Sequence, residues 1–161
     1  MAVTTNKKVL VARFDRETLS GFVQTPGGFT PEAVELLTPG GNIIRIPYSE
    51  TKVICFVRDF ENGDTWRQHR TFATRPKSPG LWLRLRFRDG DSIEGTVANN
   101  LLLLESAGFY VIPPDPTFQN QRIFIPRVAL TEVQVLGVIG SPLRQRTPKE
   151  PAKPGQLEMF E

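Results

Sequence analysis

The sequence has little of the side-chain chemistry on which enzymes and metal sites depend. Its 161 residues include one histidine, His69, and one cysteine, Cys55. One thiol cannot form a disulfide within the chain, which fits a reducing cytoplasm, and a zinc site needs more histidine and cysteine ligands than this. No glycine-rich phosphate loop followed by Lys-Ser or Lys-Thr is present. We therefore expect a protein that is not an enzyme and that uses no metal or cofactor.

Long apolar runs are missing as well. The longest candidate, Leu101 to Leu104, has four residues, whereas a membrane-spanning helix needs about 20. The segment Met1 to Lys8 lacks the apolar stretch of a signal peptide. We therefore expect a cytoplasmic protein without a membrane partner.

Turn-forming residues are frequent, since the chain has 13 glycines and 14 prolines. This composition favours short strands over long helices. A period of two is clear in the second half of the chain, where Leu81, Leu83, Leu85 and Phe87 alternate with polar or aromatic neighbours. The Asp-Gly pair at 89 and 90 is a hairpin-turn signal, and the nearby acidic residues are interpreted as turn residues and not as metal ligands. The pattern predicts an all-β fold.

A repeat is visible when the chain is compared with itself. An Arg-Phe pair, a polar acidic turn, an aliphatic residue and a glycine follow one another in Arg13–Gly21 and again, with one residue of slack, in Arg86–Gly95. Glycine inside a strand usually marks a sharp bend or a close approach of another strand. Each half therefore begins with the same predicted strand, turn and strand.

The ends of the two halves match too. Ile44–Pro47 precedes Thr51-Lys52-Val53, and Ile123–Pro126 precedes Thr131-Glu132-Val133. Proline ends a strand because it cannot donate a hydrogen bond to the ladder. These matches predict two units, at residues 7–60 and 80–140, joined by a basic connector at 61–79 and followed by a tail at 141–161.

The order of strands, acidic turn, glycine-containing strand and two closing strands resembles the small Sm-like or SH3-like barrel. The tandem arrangement, with Val57-Arg58-Asp59-Phe60 at the end of the first unit, also resembles an uncharacterised bacterial family of unknown function. The resemblance implies two small β-barrels in tandem, with a disordered C-terminal tail.

Positive charge is concentrated in one stretch. From Thr65 to Arg88 there are seven basic residues and no acidic residue, with Trp66, Phe72 and Trp82 among them. Guanidinium groups pair with phosphates and aromatic rings stack on bases, so this composition favours contact with DNA or RNA. Basic residues also protect exposed strand edges, which is the structural alternative. The candidate nucleic-acid-binding residues are Arg67, Arg70, Arg75, Lys77, Trp82, Arg84, Arg86 and Arg88.

The last 21 residues differ in composition from the rest. Ser141 to Gly155 contains four prolines and several charges, which is typical of a disordered linker, and an apolar cluster follows it. Residues 156–160, Gln-Leu-Glu-Met-Phe, resemble the bacterial sliding-clamp-binding peptide, whose pattern is Gln-Leu-x-Leu-Phe. The resemblance implies that the replication clamp is a partner and that Gln156, Leu157, Met159 and Phe160 bind it. The alternative is that the tail folds back onto the units.

Other functions stay open at this point. Without the tail motif, the repeat suggests a tandem Sm-like RNA-binding protein. The spacing of Arg70 and Arg75, together with Ser92–Gly95, is similar to the cyclic-dinucleotide motif of the PilZ domain, although both halves of that motif miss by one residue. A ligand-sensing barrel and a barrel hydrolase are the remaining possibilities.

Overall fold

The computed structural model describes residues 5–14, 17–25, 27–58, 60, 71–100, 107–114 and 120–140. These ranges contain ten strands and no α-helix, which confirms the all-β prediction. Two short 3-10 turns, Tyr48–Glu50 and Arg127–Ala129, each follow a proline that ends a strand. The strands are β1 (Thr5–Arg13), β2 (Leu19–Thr25), β3 (Ala33–Leu37), β4 (Ile43–Pro47), β5 (Thr51–Val57), β6 (Gly80–Phe87), β7 (Ser92–Val97), β8 (Gly108–Val111), β9 (Asn120–Pro126) and β10 (Leu130–Ile139).

The two halves of the chain have the same strand order. In the first unit, β1 to β5, neighbouring strands follow the order β5-β1-β2-β3-β4. In the second unit, β6 to β10, the order is β10-β6-β7-β8-β9, although β7 and β8 are joined only by the bridge between Thr96 and Ile112. Each unit also has its 3-10 turn between the fourth and fifth strands.

The strand register aligns the two units one residue away from the match made by sequence. Arg13 lies opposite Thr51 on the last strand of the first unit, and Phe87 lies opposite Leu130 on the last strand of the second. Arg13 therefore corresponds to Phe87 and not to Arg86. The match by sequence needed one residue of slack, but the strand ladders need none, because Gly21 lies opposite Val9 and Gly95 lies opposite Leu83, twelve residues apart in each unit.

Two separate, closed barrels in tandem are not what the structure has. Seven strands from both units form one antiparallel sheet in the order β4-β3-β2-β1-β5-β9-β8, and three strands form a second sheet in the order β10-β6-β7. The units meet where β5 pairs with β9, with Ile54 opposite Phe124. The cause is visible in β5, since every residue of this strand is buried and it therefore needs neighbours on both edges and both faces.

Two apolar cores lie on opposite faces of β5. Ile54 and Phe56 point into the first core, and Val53, Cys55 and Val57 point into the second. The first core consists of Val9, Val11, Val23, Val34, Leu36, Ile46, Tyr48, Ile54 and Phe56 of the first unit with Phe124 of the second. The second core consists of Leu83, Leu85, Phe87, Ile93, Val97, Val111, Ile123, Ile125 and Ala129 of the second unit with Leu10, Val53, Cys55 and Val57 of the first. Each core is thus completed by side chains of the other unit.

The two repeated glycines allow a strand to cross closely over another. A Cβ atom at Gly21 would lie 2.6 Å from the carbonyl oxygen of Leu37, and one at Gly95 would lie 3.0 Å from that of Ile112. Leu37 pairs with Phe22 and Ile112 pairs with Thr96, so both glycines precede the residue at which the third strand of the unit begins to pair. Any larger residue would push these strands apart.

Within the described ranges, no helix has the length and apolar character needed to cross a membrane.

Candidate nucleic-acid interface

The predicted arginine ladder lies on the outer face of the three-stranded sheet. On β6, Leu83, Leu85 and Phe87 are buried, whereas Arg84 and Arg86 between them are exposed. This alternation follows from the period of two predicted from the sequence. The outer face is formed by β6 together with its neighbours β7 and β10 and carries Arg84, Arg86, Ser92, Glu94, Glu132 and Gln134.

The same face of the first unit is apolar. By register, Leu10 and Ala12 of β1 stand where Arg84 and Arg86 stand on β6. Leu10 is buried in the second core and Ala12 packs against it. The first unit is therefore covered by the second, while the outer face of the second unit is charged and solvent-exposed.

The charge of the outer face is balanced. Arg84 lies opposite Glu94 on β7, and its Nη2 is 3.6 Å from Glu94 Oε2. Arg86 lies between Ser92 on β7 and Glu132 on β10. Two arginines and two glutamates give this face no net charge, so it can bind an anion only through local contacts and not through a strong field.

Trp82 is held in place by Glu94. The indole Nε1 donates to Glu94 Oε1 over 3.2 Å, and the backbone N–H of Phe72 donates to the same oxygen over 3.2 Å. The rings of Phe72 and Trp82 meet edge to face with centroids 6.2 Å apart. These contacts explain why the Glu94 side chain is nearly buried on a sheet face that otherwise faces solvent. Trp82 is half-buried, so only part of its ring is available for stacking.

Arg88 has a different environment from the other two arginines. Its guanidinium lies over the ring of Phe14 with 4.0 Å to the centroid, and it donates to the carbonyl oxygens of Ser49 and, over 3.3 Å, of Val128. Ser49 and Val128 belong to the two 3-10 turns. Arg88 therefore ties the two units together, and much of its hydrogen-bonding capacity is already used.

The described end of the connector, residues 71–78, lines an open groove of about 350 Å³. Arg75 and Lys77 lie on its wall, opposite Thr96 and Ile112, and the hydroxyls of Thr71, Thr74 and Ser78 add polar groups. Arg75 also donates to the carbonyl oxygen of Val138 over 3.2 Å. The structure thus places Arg75 near Trp82, because a Cβ atom at Gly137 would lie 3.5 Å from Trp82 Cε3 and 3.8 Å from Arg75 Nη1.

Two of the predicted basic residues and all the predicted clamp-binding residues lie outside the described part of the chain. These are Arg67, Arg70, Gln156, Leu157, Met159 and Phe160.

A cluster that the sequence did not predict links the units. Lys52 on β5 has its Nζ 2.7 Å from Asp89 Oδ2 and 2.6 Å from Asp91 Oδ2, both in the hairpin between β6 and β7. Burial by itself would raise the pKa of Asp89, but the hydrogen bonds from Lys52 Nζ and from the backbone N–H of Asp91, with the charge of Lys52, hold it below its ordinary value. Only the position of Lys52 before the apolar run Val53–Val57 hinted that its charge would need a partner.

In the described ranges, histidine, cysteine, aspartate and glutamate side chains form no group of three or more that could hold a metal ion. The carboxylates of Asp89 and Asp91 both accept from the Lys52 ammonium group.

One family model matches residues 5–137, and its description is that of a family of unknown function, DUF6982. No curated protein and no solved structure matches the chain. The matched range includes all of the first nine strands and most of β10, so the match covers both units.

Proposed function

We propose a function for this chain from its own residues, because the chain belongs to DUF6982, a family of unknown function. The protein is a non-enzymatic cytoplasmic adaptor. Its two fused units form a rigid body, its C-terminal peptide docks on the bacterial replication sliding clamp, and the outer face with Arg84 and Arg86 contacts DNA or RNA.

The observation that carries the clamp proposal is the peptide Gln156-Leu157-Glu158-Met159-Phe160. Gln156, Leu157 and Phe160 match the clamp-binding pattern directly, and Met159 replaces a leucine of nearly the same volume, which an apolar cleft tolerates. By the resemblance, Gln156 forms a hydrogen bond at one end of the peptide-binding groove of the clamp, and Met159 and Phe160 fill an apolar pocket at the other end. Hiding these side chains from water supplies the binding energy.

The experiment is a titration of bacterial sliding clamp into the full chain labelled at its N-terminus, followed by fluorescence anisotropy. We expect saturable binding in the micromolar range and a loss of at least tenfold in the Phe160→Ala variant. The matched control is Glu158→Ala, at the permissive middle position, which should bind as the natural chain does. Binding that survives Phe160→Ala, or no binding at all, contradicts the proposal.

Nucleic-acid contact is proposed as the weaker of the two interactions. Alternate residues of a strand lie roughly 6.8 Å apart, which is comparable to the distance between successive phosphates. Two arginines that displace counterions from a single strand give a slope of log K against log salt of about −1.4, which is shallow. Because Glu94 and Glu132 share the face, we expect affinity in the high micromolar range or weaker.

This is tested by titrating single-stranded DNA and RNA at several salt concentrations. Arg84→Gln with Arg86→Gln should remove most of the binding and flatten the salt dependence. Arg45→Gln, which replaces an exposed arginine on β4 of the first unit, is the matched control and should change little. Affinity that ignores salt, or that the double variant retains, contradicts an electrostatic role for this face.

A second candidate is a tandem Sm-like RNA-binding protein. It is favoured by the strand order shared by the two units and by the 3-10 turn before each fifth strand, which resemble the Sm-like or SH3-like barrel. We propose that each unit derives from such a barrel and was opened where β5 and β9 pair. Binding of RNA but not of clamp, unaffected by removal of residues 141–161, would favour this candidate.

A further inference from the structure

The last strand of the second unit, β10, ends a sheet in the described part of the chain. Among the described strands β10 pairs only with β6, so one edge of this ten-residue strand has no partner within the described ranges. Val133, Val135 and Val138 on β10 are exposed to 43%, 56% and 42%. A long, apolar strand with a free edge is a surface on which another strand can pair.

The corresponding strand of the first unit shows what such a sequence requires. By register Val133 corresponds to Ile54 of β5, and Val135 corresponds to Phe56. Both of these are buried, because β5 is paired on one edge with β1 and on the other with β9. In β10 the same two positions are apolar, but the second neighbour is absent from the described chain.

We infer that β10 pairs antiparallel with β10 of a second copy of this chain, around a twofold axis at Gln134. This register places Val133 of each copy opposite Val135 of the other, so the exposed valines cover one another. It also places Glu132, the only charged residue of the strand, opposite Leu136, so no like charges face each other. An interface that pairs one strand with itself closes as a dimer and leaves no further edge of its kind.

Strand β4, which ends the seven-stranded sheet, is a poorer partner. Ile43 at its start is 72% exposed, but the strand has five residues and ends at Pro47, which cannot donate to a ladder. By strand order β10 corresponds to β5, and β4 corresponds to β9. Pairing β10 of one copy with β4 of the next would therefore repeat the junction of β5 with β9, and it would turn the outer face of one copy toward an apolar core of the other. Arg84 and Glu132 would then be buried in place of Leu10 and Val53, which is costly.

One end of β10 already has a hydrogen-bond partner other than β6. Arg75 donates to the carbonyl oxygen of Val138, so the pairing is centred on residues 132–136. The dimer joins the two three-stranded sheets into one sheet of six strands. Both outer faces then lie on the same side of this sheet, and the inference holds whether or not that face binds nucleic acid.

The register is tested by disulfide formation in the full chain carrying Gln134→Cys. Gln134 is exposed and would face the same residue of the second copy, within reach of a disulfide, while the natural Cys55 is buried. Mild oxidation should convert most of the chain to a disulfide-linked dimer that a reductant reverses. Gln24→Cys, at an exposed position on β2, is the matched control and should cross-link many-fold less.

The interface itself is tested by sedimentation equilibrium over a concentration series up to about 1 mM. The natural chain should reach twice its monomer mass of 18.1 kDa. Val135→Lys should sediment as a monomer and should remain folded by circular dichroism, because this side chain is already exposed. Ile43→Lys should still dimerise.

Three results would overturn the inference. A natural chain that stays monomeric throughout the series excludes the dimer. A dimer that Val135→Lys leaves intact, but Ile43→Lys abolishes, places the contact at β4. A dimer in which Gln134→Cys cross-links no better than Gln24→Cys excludes the proposed register.

Discussion

Replacing Lys52 with methionine removes one of the charges that connect the two units. The ammonium group lies 2.7 Å and 2.6 Å from carboxylate oxygens of Asp89 and Asp91, and it lies 5.2 Å from the centroid of the Phe87 ring. Methionine keeps a flexible apolar stem against that ring but offers no donor. The variant therefore leaves two neighbouring carboxylates without their shared cation.

The expected cost follows from the exposure of each partner. A hydrogen bond to a charged group contributes about 1.5–3 kcal/mol when both partners are buried. The Lys52 side chain is 10% exposed, but those of Asp89 and Asp91 are 39% and 33% exposed, so water compensates for much of the loss. We therefore expect Lys52→Met to lower the free energy of unfolding by about 2 kcal/mol at pH 7.

The effect must also depend on pH, with a definite sign. Lys52 and its hydrogen bond hold the pKa of Asp89 below the ordinary value of about 3.9. A carboxyl with a lowered pKa in the folded state stabilises the protein above its unfolded-state pKa, and this contribution is lost as pH falls through the folded-state pKa. The difference in stability between the natural chain and Lys52→Met should thus be full above about pH 5 and shrink below about pH 4.

Urea unfolding followed by circular dichroism at pH 7, 5, 4 and 3 measures this difference. Lys7→Met, which replaces an exposed lysine of β1, is the matched control and should unfold as the natural chain does. Equal unfolding midpoints for the natural chain and Lys52→Met at pH 7 would refute the argument. A difference that stays constant from pH 5 to pH 3 would refute the role of Asp89.

Two further predictions concern the fold. Gly95→Ala should lower the free energy of unfolding by roughly 2 kcal/mol, measured by urea unfolding, because the added methyl group would lie 2.2 Å from Val111 Cγ1 and 3.0 Å from the carbonyl oxygen of Ile112. Gly40→Ala, in an open turn, should cost little, and equal effects of the two substitutions would contradict the argument. A fragment of residues 1–60 should fail to fold, as judged by amide chemical-shift dispersion, because β5 loses β9 and its second-core face is exposed. A fragment of residues 1–140 keeps all described strands and should fold, and a well-folded 1–60 fragment would show that the units are independent.

Local patterns in the sequence predicted the local structure well. The alternation of Leu83 and Leu85 with Arg84 and Arg86 predicted which side chains are buried, because side chains of a strand point to opposite faces in turn. Pro47 and Pro126 end their strands as predicted. The repeat was visible, although its alignment was wrong by one residue at the two Arg-Phe pairs, which do not occupy equivalent positions in the strand ladders.

The environment of each candidate site residue was harder to predict. Arg84, Arg86 and Arg88 have the same spacing in the sequence, yet Arg88 is bound to the two 3-10 turns while the other two lie on an exposed face. Lys52 and its carboxylate partners are 37 and 39 residues apart, and no local pattern connects them. The partners of a polar side chain depend on which strands become neighbours.

By itself, the sequence determined that this chain forms short strands, that two of them end at Pro47 and Pro126, and which face of β6 is apolar. These features depend on side-chain period, glycine and proline, which act within a few residues. Only the tertiary structure decided that β5 pairs with β9, that the two units share their cores, and that the arginines of β6 stay exposed. A strand carries the same hydrogen-bonding groups toward every possible neighbour, so its partner is chosen by burial summed over the whole molecule.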